Sequence, residues 1–454
     1  MGYEKFATKV GELKRAAIDA WMYSETGWGW EVRGDVYQVI GDSRSKVTRP
    51  GQDGEGGGDW SGPVMINIFG WDVLGFDDQK DAEFQGYFAE VRNTIDSIVG
   101  RWADLPDPAE VEEIVERCRT VSGHLSVEPV VADANSNISV ASEDLAVGMN
   151  GISSHVAGLS GNTIDAFKDK FLLKLPMAIA GSLAISAVRG GVVAAEKAIW
   201  EKAREDVMAT LETAIQAFNA IAQGTTATWQ DQLHVFGLAA EGVSLFMPGV
   251  LGKVLETASF GVSLVPEPKG DSRAGVGAPG KYSEGVESLS KQLDALSQQI
   301  RAEEEALRES LTGTISGVGT QKGTYDLVLD RIYDLDCSVN MVESEVNAVT
   351  ERYMPKVQTA LSAAASETIT CTIGNQVARS ADIGLGAYGP AYELYDLTIL
   401  HYELTKDLAW EVENGAVQLH LALQDFIESD NQSADQLRDF AASLEGGSGF
   451  DPWD

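Results

Sequence analysis

The segment closest to a catalytic or cofactor-binding motif is Gly275–Lys281, whose glycines and final lysine have the spacing of a phosphate-binding loop. Such a loop needs Ser or Thr directly after the lysine to hold Mg²⁺, and it follows a strand. Here Tyr282 follows the lysine, and no strand pattern precedes the segment. We interpret it as a linker that opens a helix, and we expect no nucleotide cofactor.

Other reactive residue types lack the spacing that their chemistry requires. The five histidines show no zinc-binding pattern such as HExxH, and no Gly-x-Ser-x-Gly elbow is present. The cluster Asp330, Asp334 and Asp336 lacks the glycine of a calcium loop. The sequence therefore predicts no metal, no cofactor, no catalytic residue and no enzymatic activity. An enzyme or toxin site within residues 1–80, which are rich in Asp, is kept as an alternative.

The charge of the chain is strongly negative. Its 69 Asp and Glu residues exceed its 34 Lys and Arg residues, which gives a net charge of −35. Nucleic-acid binding and docking on anionic lipid both rest on basic surfaces, so neither is expected. Three cysteines are too few for a disulfide scaffold. Cys337 and Cys371 would meet if the chain between them doubles back, but a buried free thiol is the expected state of each.

Two stretches of apolar residues at alternating spacings of three and four predict long helices. The upstream stretch is Val286, Leu289, Leu293, Leu296, Ile300 and Leu307. The downstream stretch is Tyr325, Val328, Ile332, Leu335, Val339, Val342, Val346, Val349 and Tyr353. We expect the two helices to form a hairpin in which each buries its apolar stripe on the other.

The pattern predicts a mainly α fold with elongated helical hairpins and a small N-terminal α+β cap. The expected units are 1–80 (the cap, with a Gly-rich loop), 82–225 (a helical unit), 226–281 (a Gly-rich apolar hairpin and linker), 282–445 (a bundle of long helices) and 446–454 (an acidic tail).

Local sequence signals predict individual elements within the first two units. In the cap we expect a helix over 1–22, a turn at Gly34-Asp35, a flexible loop over 41–62 and a strand within 63–76. In the helical unit, Asp107 is expected to cap a helix that begins at Pro108.

The apolar stretch 233–265 has two interpretations. Gly242, Pro248 and Gly249 lie within it, and only three of its residues are charged. Small residues permit close packing of a buried helix pair, and they also permit helix contact inside a bilayer. Each arm is shorter than the roughly 20 residues that span hydrocarbon. Membrane contact is therefore expected to be shallow or conditional, if it occurs.

The segment Leu159-Ser160-Gly161-Asn162-Thr163-Ile164-Asp165-Ala166-Phe167 joins two predicted helices. It resembles the turn of WXG-type (ESX) substrates of actinobacterial type VII secretion. In that family a Trp-x-Gly turn joins two antiparallel helices, and an aromatic residue follows. Gly161 and Phe167 match those positions, and Leu159 stands where the family has tryptophan. The resemblance implies a helical hairpin and export by a type VII system.

The family's export signal is Tyr-x-x-x-Asp/Glu near the end of a helical hairpin. Tyr392 and Asp396 match this pattern literally at the start of a predicted helix. Phe426 and Asp430 lie nearer the C-terminus, with Phe in place of Tyr. Both pairs are candidates.

The sequence thus predicts a secreted, non-catalytic helical protein that acts by binding protein partners or by self-assembly. The N-terminus has no apolar signal segment. We therefore expect a Sec-independent route from the cytoplasm to the cell surface or medium. A membrane-active protein that inserts 233–265 is the first alternative.

Overall fold

A small antiparallel sheet near the N-terminus and a larger set of helices make up the computed structural model, which confirms the predicted mainly α fold. The described residues are 2–27, 29–62, 64–68, 71–75, 78–127, 141–225, 280–325, 327 and 341–445.

Four strands form an antiparallel meander, and two more form a separate hairpin. In chain order they are β1 (Trp30–Arg33), β2 (Val36–Val39), β3 (Asp42–Thr48), β4 (Trp60–Ser61), β5 (Val64–Ile68) and β6 (Trp71–Gly75). The predicted turn at Gly34-Asp35 is confirmed, since Gly34 has φ 64° between β1 and β2. The loop expected over 41–62 is wrong in part. Within it, β3 pairs with both of its neighbours.

The helices of the first half are α1 (Phe6–Ser24), α2 (Asp78–Val99), α3 (Pro108–His124), α4 (Glu143–Val156), α5 (Asn162–Phe167) and α6 (Leu175–Ala222). Those of the second half are α7 (Tyr282–Thr320), α8 (Lys322–Tyr325), α9 (Glu343–Asn347), α10 (Met354–Thr368) and α11 (Ala391–Glu445). Short 3-10 turns lie at Tyr3–Lys5, Gly100–Trp102 and Asn375–Val377, and π-helical segments at Lys168–Leu172 and Ala348–Tyr353. The Asp107 side chain accepts from Ala109 N, as expected of the N-cap of α3.

Helix α6 lies at the centre of the helical part. It packs against α1, α3 and α7, and its apolar residues are buried around most of its circumference. Among the described residues, the run Asn162–Ala222 is long and apolar enough to cross a membrane, and 67% of its most apolar window is buried inside the protein. A core helix of a globular fold meets the same criteria, so this composition is weak evidence for a span.

The upstream apolar stripe is buried on α7, but its main neighbours are α6 and α11. Of the downstream stripe, Val346 and Val349 are buried, while Val342 is 42% exposed. The residues from Val328 to Val339 lie outside the described part of the chain. Helix α11 is continuous from Ala391 to Glu445.

A buried carboxylate holds the sheet on α1. Asp19 of α1 is 3% exposed and accepts hydrogen bonds from the Tyr37 hydroxyl (2.7 Å) and Arg49 Nε (2.8 Å). Arg49 Nη2 also pairs with the second oxygen of Asp19. Tyr37 lies on β2 and Arg49 directly follows β3, so one side chain fixes two strands against the helix.

We expect Asp19→Ala to lower the free energy of unfolding by about 3 kcal/mol, because removing one partner of a buried ion pair leaves the other unpaired. Denaturant unfolding followed by circular dichroism measures this. Glu12→Ala on the same helix is the control. It removes only a surface ion pair with Lys9 and is expected to cost less than about 1 kcal/mol. Equal effects of the two substitutions would contradict the role of Asp19.

Candidate functional site

An aromatic cleft of about 390 Å³ opens between the end of α1, the sheet and the first turns of α2. Five of the ten tryptophans of the chain lie within residues 1–80, and three of them line this cleft. Its lining residues are Trp21, Glu25, Thr26, Trp30, Trp60, Lys80, Glu83, Phe84 and Tyr87.

The aromatic rings support one another. Trp60 and Phe84 lie parallel with centroids 6.1 Å apart, and Trp30 meets both edge-on at 6.2 Å and 5.9 Å. Trp21 and Tyr87 form a second pair at 5.0 Å. Such arrangements are the favoured geometries of aromatic side chains. Because Trp30 is only 2% exposed, it forms the floor of the cleft.

Backbone contacts fix the position of Trp60. Its N–H donates to the Asp81 carboxylate on α2, and its indole N–H donates to the Gly62 carbonyl at 3.2 Å. Arg92, farther along α2, donates to the carbonyls of Gly54 and Gly56 and so holds the preceding loop. The Trp60 ring is therefore held in place before any ligand arrives.

The charged groups of the cleft are one cation and two carboxylates. Lys80 Nζ lies 4.8 Å from the centroid of the Trp60 ring, which is a cation–π contact. Glu25 and Glu83 are exposed at the rim. Tyr87 donates a hydrogen bond to Glu83 at 3.2 Å, and this bond raises the pKa of Tyr87. The arrangement is suited to a positively charged group that lies on an aromatic face beside carboxylates.

The cleft residues include no histidine or cysteine. Among the described residues, no cluster of His, Cys, Asp and Glu is suited to hold a metal ion. Asp53 accepts from the backbone of Glu55, and Asp59 accepts from Gln85, so these two carboxylates serve local structure. The geometry of this region supports binding.

A second polar cluster is fully buried between α6, α7 and the loop that precedes α11. Glu304 of α7 pairs with Arg379 and accepts from Leu385 N at 2.6 Å. The Arg379 guanidinium lies over the Trp200 ring at 4.6 Å, and Trp200 donates to Glu196 at 3.0 Å. Glu196 interacts electrostatically with the same guanidinium, so two buried carboxylates lie near one buried cation.

Proton uptake relieves this excess of negative charge. Burial and the nearby Glu196 carboxylate raise the pKa of Glu304 to about 8, despite the opposing effect of Arg379. Burial also raises the pKa of Glu196. Glu304 is thus neutral in the folded protein at pH values where an exposed glutamate is ionised.

The residues of the predicted hairpin turn join α4 to α5. Leu159 and Phe167 are buried, Phe167 stacks on Phe171 at 4.9 Å, and Gly161 has φ 122°, a conformation that favours glycine. Helix α4, which precedes the turn, has its main contacts with α10 and the π-helical segment Ala348–Tyr353. Its main partner is therefore not the helix that follows the turn.

Both candidate export pairs lie on α11. Tyr392 is 70% exposed and Asp396 is exposed one turn later, so the two side chains share a face. Phe426 is half-buried, and Asp430 is exposed.

Several predicted features lie outside the described residues. These are Gly242, Pro248 and Gly249 of the apolar stretch, the loop 275–279, the cluster Asp330 to Asp336, and Cys337.

The sequence contains signals for two of the buried charged residues. The stripe on α7 is interrupted between Ile300 and Leu307, at the place where Glu304 is buried. Arg189 is the only charged residue between Leu175 and Ala195 and is 1% exposed. The three cleft tryptophans lie on α1, β1 and β4, and tertiary packing brings them together.

The buried carboxylate pair predicts that stability falls as pH rises. Between its unfolded pKa near 4.5 and its folded pKa of about 8, Glu304 binds a proton in the folded state that the unfolded chain has lost. The free energy of unfolding therefore declines with pH in this window, by up to ~1.4 kcal/mol per pH unit.

We expect Glu196→Gln to flatten this decline between pH 6 and 8, because it leaves Glu304 paired with Arg379 without excess charge. Denaturant unfolding at several pH values measures the slope. Glu201→Gln, on the exposed side of α6, is expected to keep the wild-type slope. The histidines are unchanged in both variants. An unaltered slope in Glu196→Gln would refute the effect of the Glu196 carboxylate on the pKa of Glu304.

Comparison with known proteins gives no match among protein-family models, curated proteins or solved structures. The interpretation of the aromatic cleft therefore rests on its geometry.

Proposed function

We propose that this protein is a non-catalytic interaction protein that recognises a basic side chain of a protein partner in its aromatic cleft. The observation that supports this most strongly is the position of Lys80. Its ammonium group lies on the face of Trp60, where we propose that a lysine or arginine side chain of a partner binds.

The recognition has two physical components. The face of an indole ring attracts a cation, and this contact contributes about 0.5–2 kcal/mol depending on how far the cation is desolvated. Glu25 and Glu83 at the rim add Coulombic attraction. The net charge of −35 steers a basic partner toward the protein over longer distances.

We further propose that the protein leaves the cell through a type VII-like system. The turn at Leu159–Phe167 supports this by its resemblance to the WXG family. The exposed pair Tyr392 and Asp396 supports it as well, because a receptor can reach both side chains on one face of α11.

The cleft proposal predicts that Lys80 competes with a ligand. The probe is the peptide acetyl-Gly-Lys-Gly-amide, followed by peptide-observed NMR titration. We expect Lys80→Ala to bind it about 2- to 30-fold more tightly than the wild type, since the Trp60 face becomes available. Replacing Trp60 by Leu in that background should remove the gain, and raised salt should reduce it.

Two controls isolate the cleft and the charge. Trp410→Leu removes a tryptophan that is 59% exposed on α11, away from the cleft, and should leave affinity unchanged. The same peptide with Nε-acetyl-lysine has no charge and should not bind. Binding of both peptides alike, or an unchanged affinity after Trp60→Leu, would rule out cation recognition here.

The export proposal predicts that Tyr392→Ala with Asp396→Ala abolishes appearance of the protein in the culture medium of a host that carries a type VII system. The intracellular amount should stay the same, as measured by immunoblotting. Tyr395→Ala, also exposed on α11, is the matched control and should be exported. Export that persists in a host whose type VII ATPase is deleted would disprove this route. Loss of export only in the variant with Phe426→Ala and Asp430→Ala would assign the export signal to that pair.

A further inference from the structure

Two cysteines that are far apart in sequence lie side by side in the helical part. Cys118 is on α3, and Cys371 follows the end of α10. Both are buried free thiols that lie close enough to interact, and the Cys371 thiol also donates to the Glu367 carbonyl at 3.4 Å. Helices α3 and α10 pack against each other, which brings the two positions together.

The packing of α3 on α6 holds Cys118 in its position next to Cys371. Ser122, one turn after Cys118, is 2.8 Å from the Ser186 hydroxyl of α6, and both are buried. Arg189 follows Ser186 by one turn. Its Nη2 donates to the carbonyls of Cys371 at 3.1 Å and Thr368 at 2.9 Å.

Arg189 is a buried cation whose hydrogen bonds all go to neutral groups. Besides the two carbonyls, it contacts Thr398 Oγ1 (3.0 Å) and His401 Nδ1 (2.9 Å). Within the described part of the chain it makes no ion pair with a carboxylate. A buried charge needs a compensating partner, and the Cys371 thiol beside it gains a negative charge when it ionises.

The electrostatics make the two thiols unequal. Hydrogen bonding by the Cys118 thiol, helped by Arg189, lowers the pKa of Cys371 to about 7 although burial raises it. The bond to Cys371 and burial raise the pKa of Cys118. Cys371 lies in the irregular segment between α10 and α11, beside the exposed Thr370, whereas Cys118 is inside a helix. Opening of that segment would expose Cys371 without unfolding a helix.

We propose that Cys118 and Cys371 form a redox-active dithiol that closes to a disulfide when the protein meets an oxidising small-molecule disulfide. The Cys371 thiolate attacks one sulfur of the external disulfide and releases one thiolate from it. The Cys118 thiol then loses its proton and attacks the Cys371 sulfur, and a second external thiolate leaves. The two protein thiols are oxidised, one external disulfide is reduced to two thiols, and α3 becomes tied to the end of α10.

The test uses purified full-length protein and oxidised glutathione under native conditions. After quenching and digestion, mass spectrometry should find the Cys118 and Cys371 peptides joined, two hydrogens lighter than their sum. Thiol titration in denaturant should fall from three thiols to one in the wild type and from two to none in Cys337→Ser. The oxidised protein should unfold at a higher denaturant concentration, because the bond closes a long loop.

Two cysteine variants separate the two steps of the proposed reaction. Cys118→Ser should stop at a mixed disulfide with glutathione on Cys371, and Cys371→Ser should form neither product. A wild-type protein that keeps three free thiols would overturn the proposal. So would glutathione that stays on Cys371, or a bond from Cys337 to either partner.

Discussion

Two buried charged side chains on helix α6 require hydrogen-bonding groups from the elements that pack around it. Arg189 and Glu196 are almost completely inaccessible to water. Transfer of a charge from water into a protein interior is unfavourable by many kcal/mol unless polar groups surround it. Every element that covers α6 at these two levels must therefore supply hydrogen-bonding groups along with apolar surface.

The segment between α10 and α11 supplies polar groups to Arg189 and to the carboxylate cluster beside Glu196. Its first part offers the carbonyl of Cys371 to Arg189, and its later part contributes Arg379 and the N–H of Leu385 to the carboxylate cluster. Gly384 has φ 62°, and a Cβ there would lie 2.4 Å from a Glu304 oxygen. A larger residue at this position would be strained and would also clash with the carboxylate. The irregular path of this segment thus follows from the charges that it covers.

Sequence periodicity predicted the elements much better than it predicted their partners. The N-cap at Asp107, the turn at Gly34 and the long helices follow from local backbone chemistry, which acts over a few residues. The stripe on α7 correctly indicated a buried face, yet an apolar face does not specify which helix covers it. The position of Glu304 within that stripe identifies its partner only when Arg379, from a distant loop, is known. The aromatic cleft and the dithiol depend in the same way on residues that tertiary packing alone brings together.

The acidity of the chain bears on which partner the protein would take. Several of its basic residues are engaged within the molecule, as Lys14 is with Glu55 and Asp96, and Arg49 with Asp19. Such pairing leaves the net excess of 35 negative charges largely uncompensated at the surface. Two identical copies would repel each other at low ionic strength, whereas a basic protein would be attracted. Electrostatics therefore favours a basic partner over self-assembly, and a cleft that already accommodates a lysine ammonium is chemically matched to such a partner.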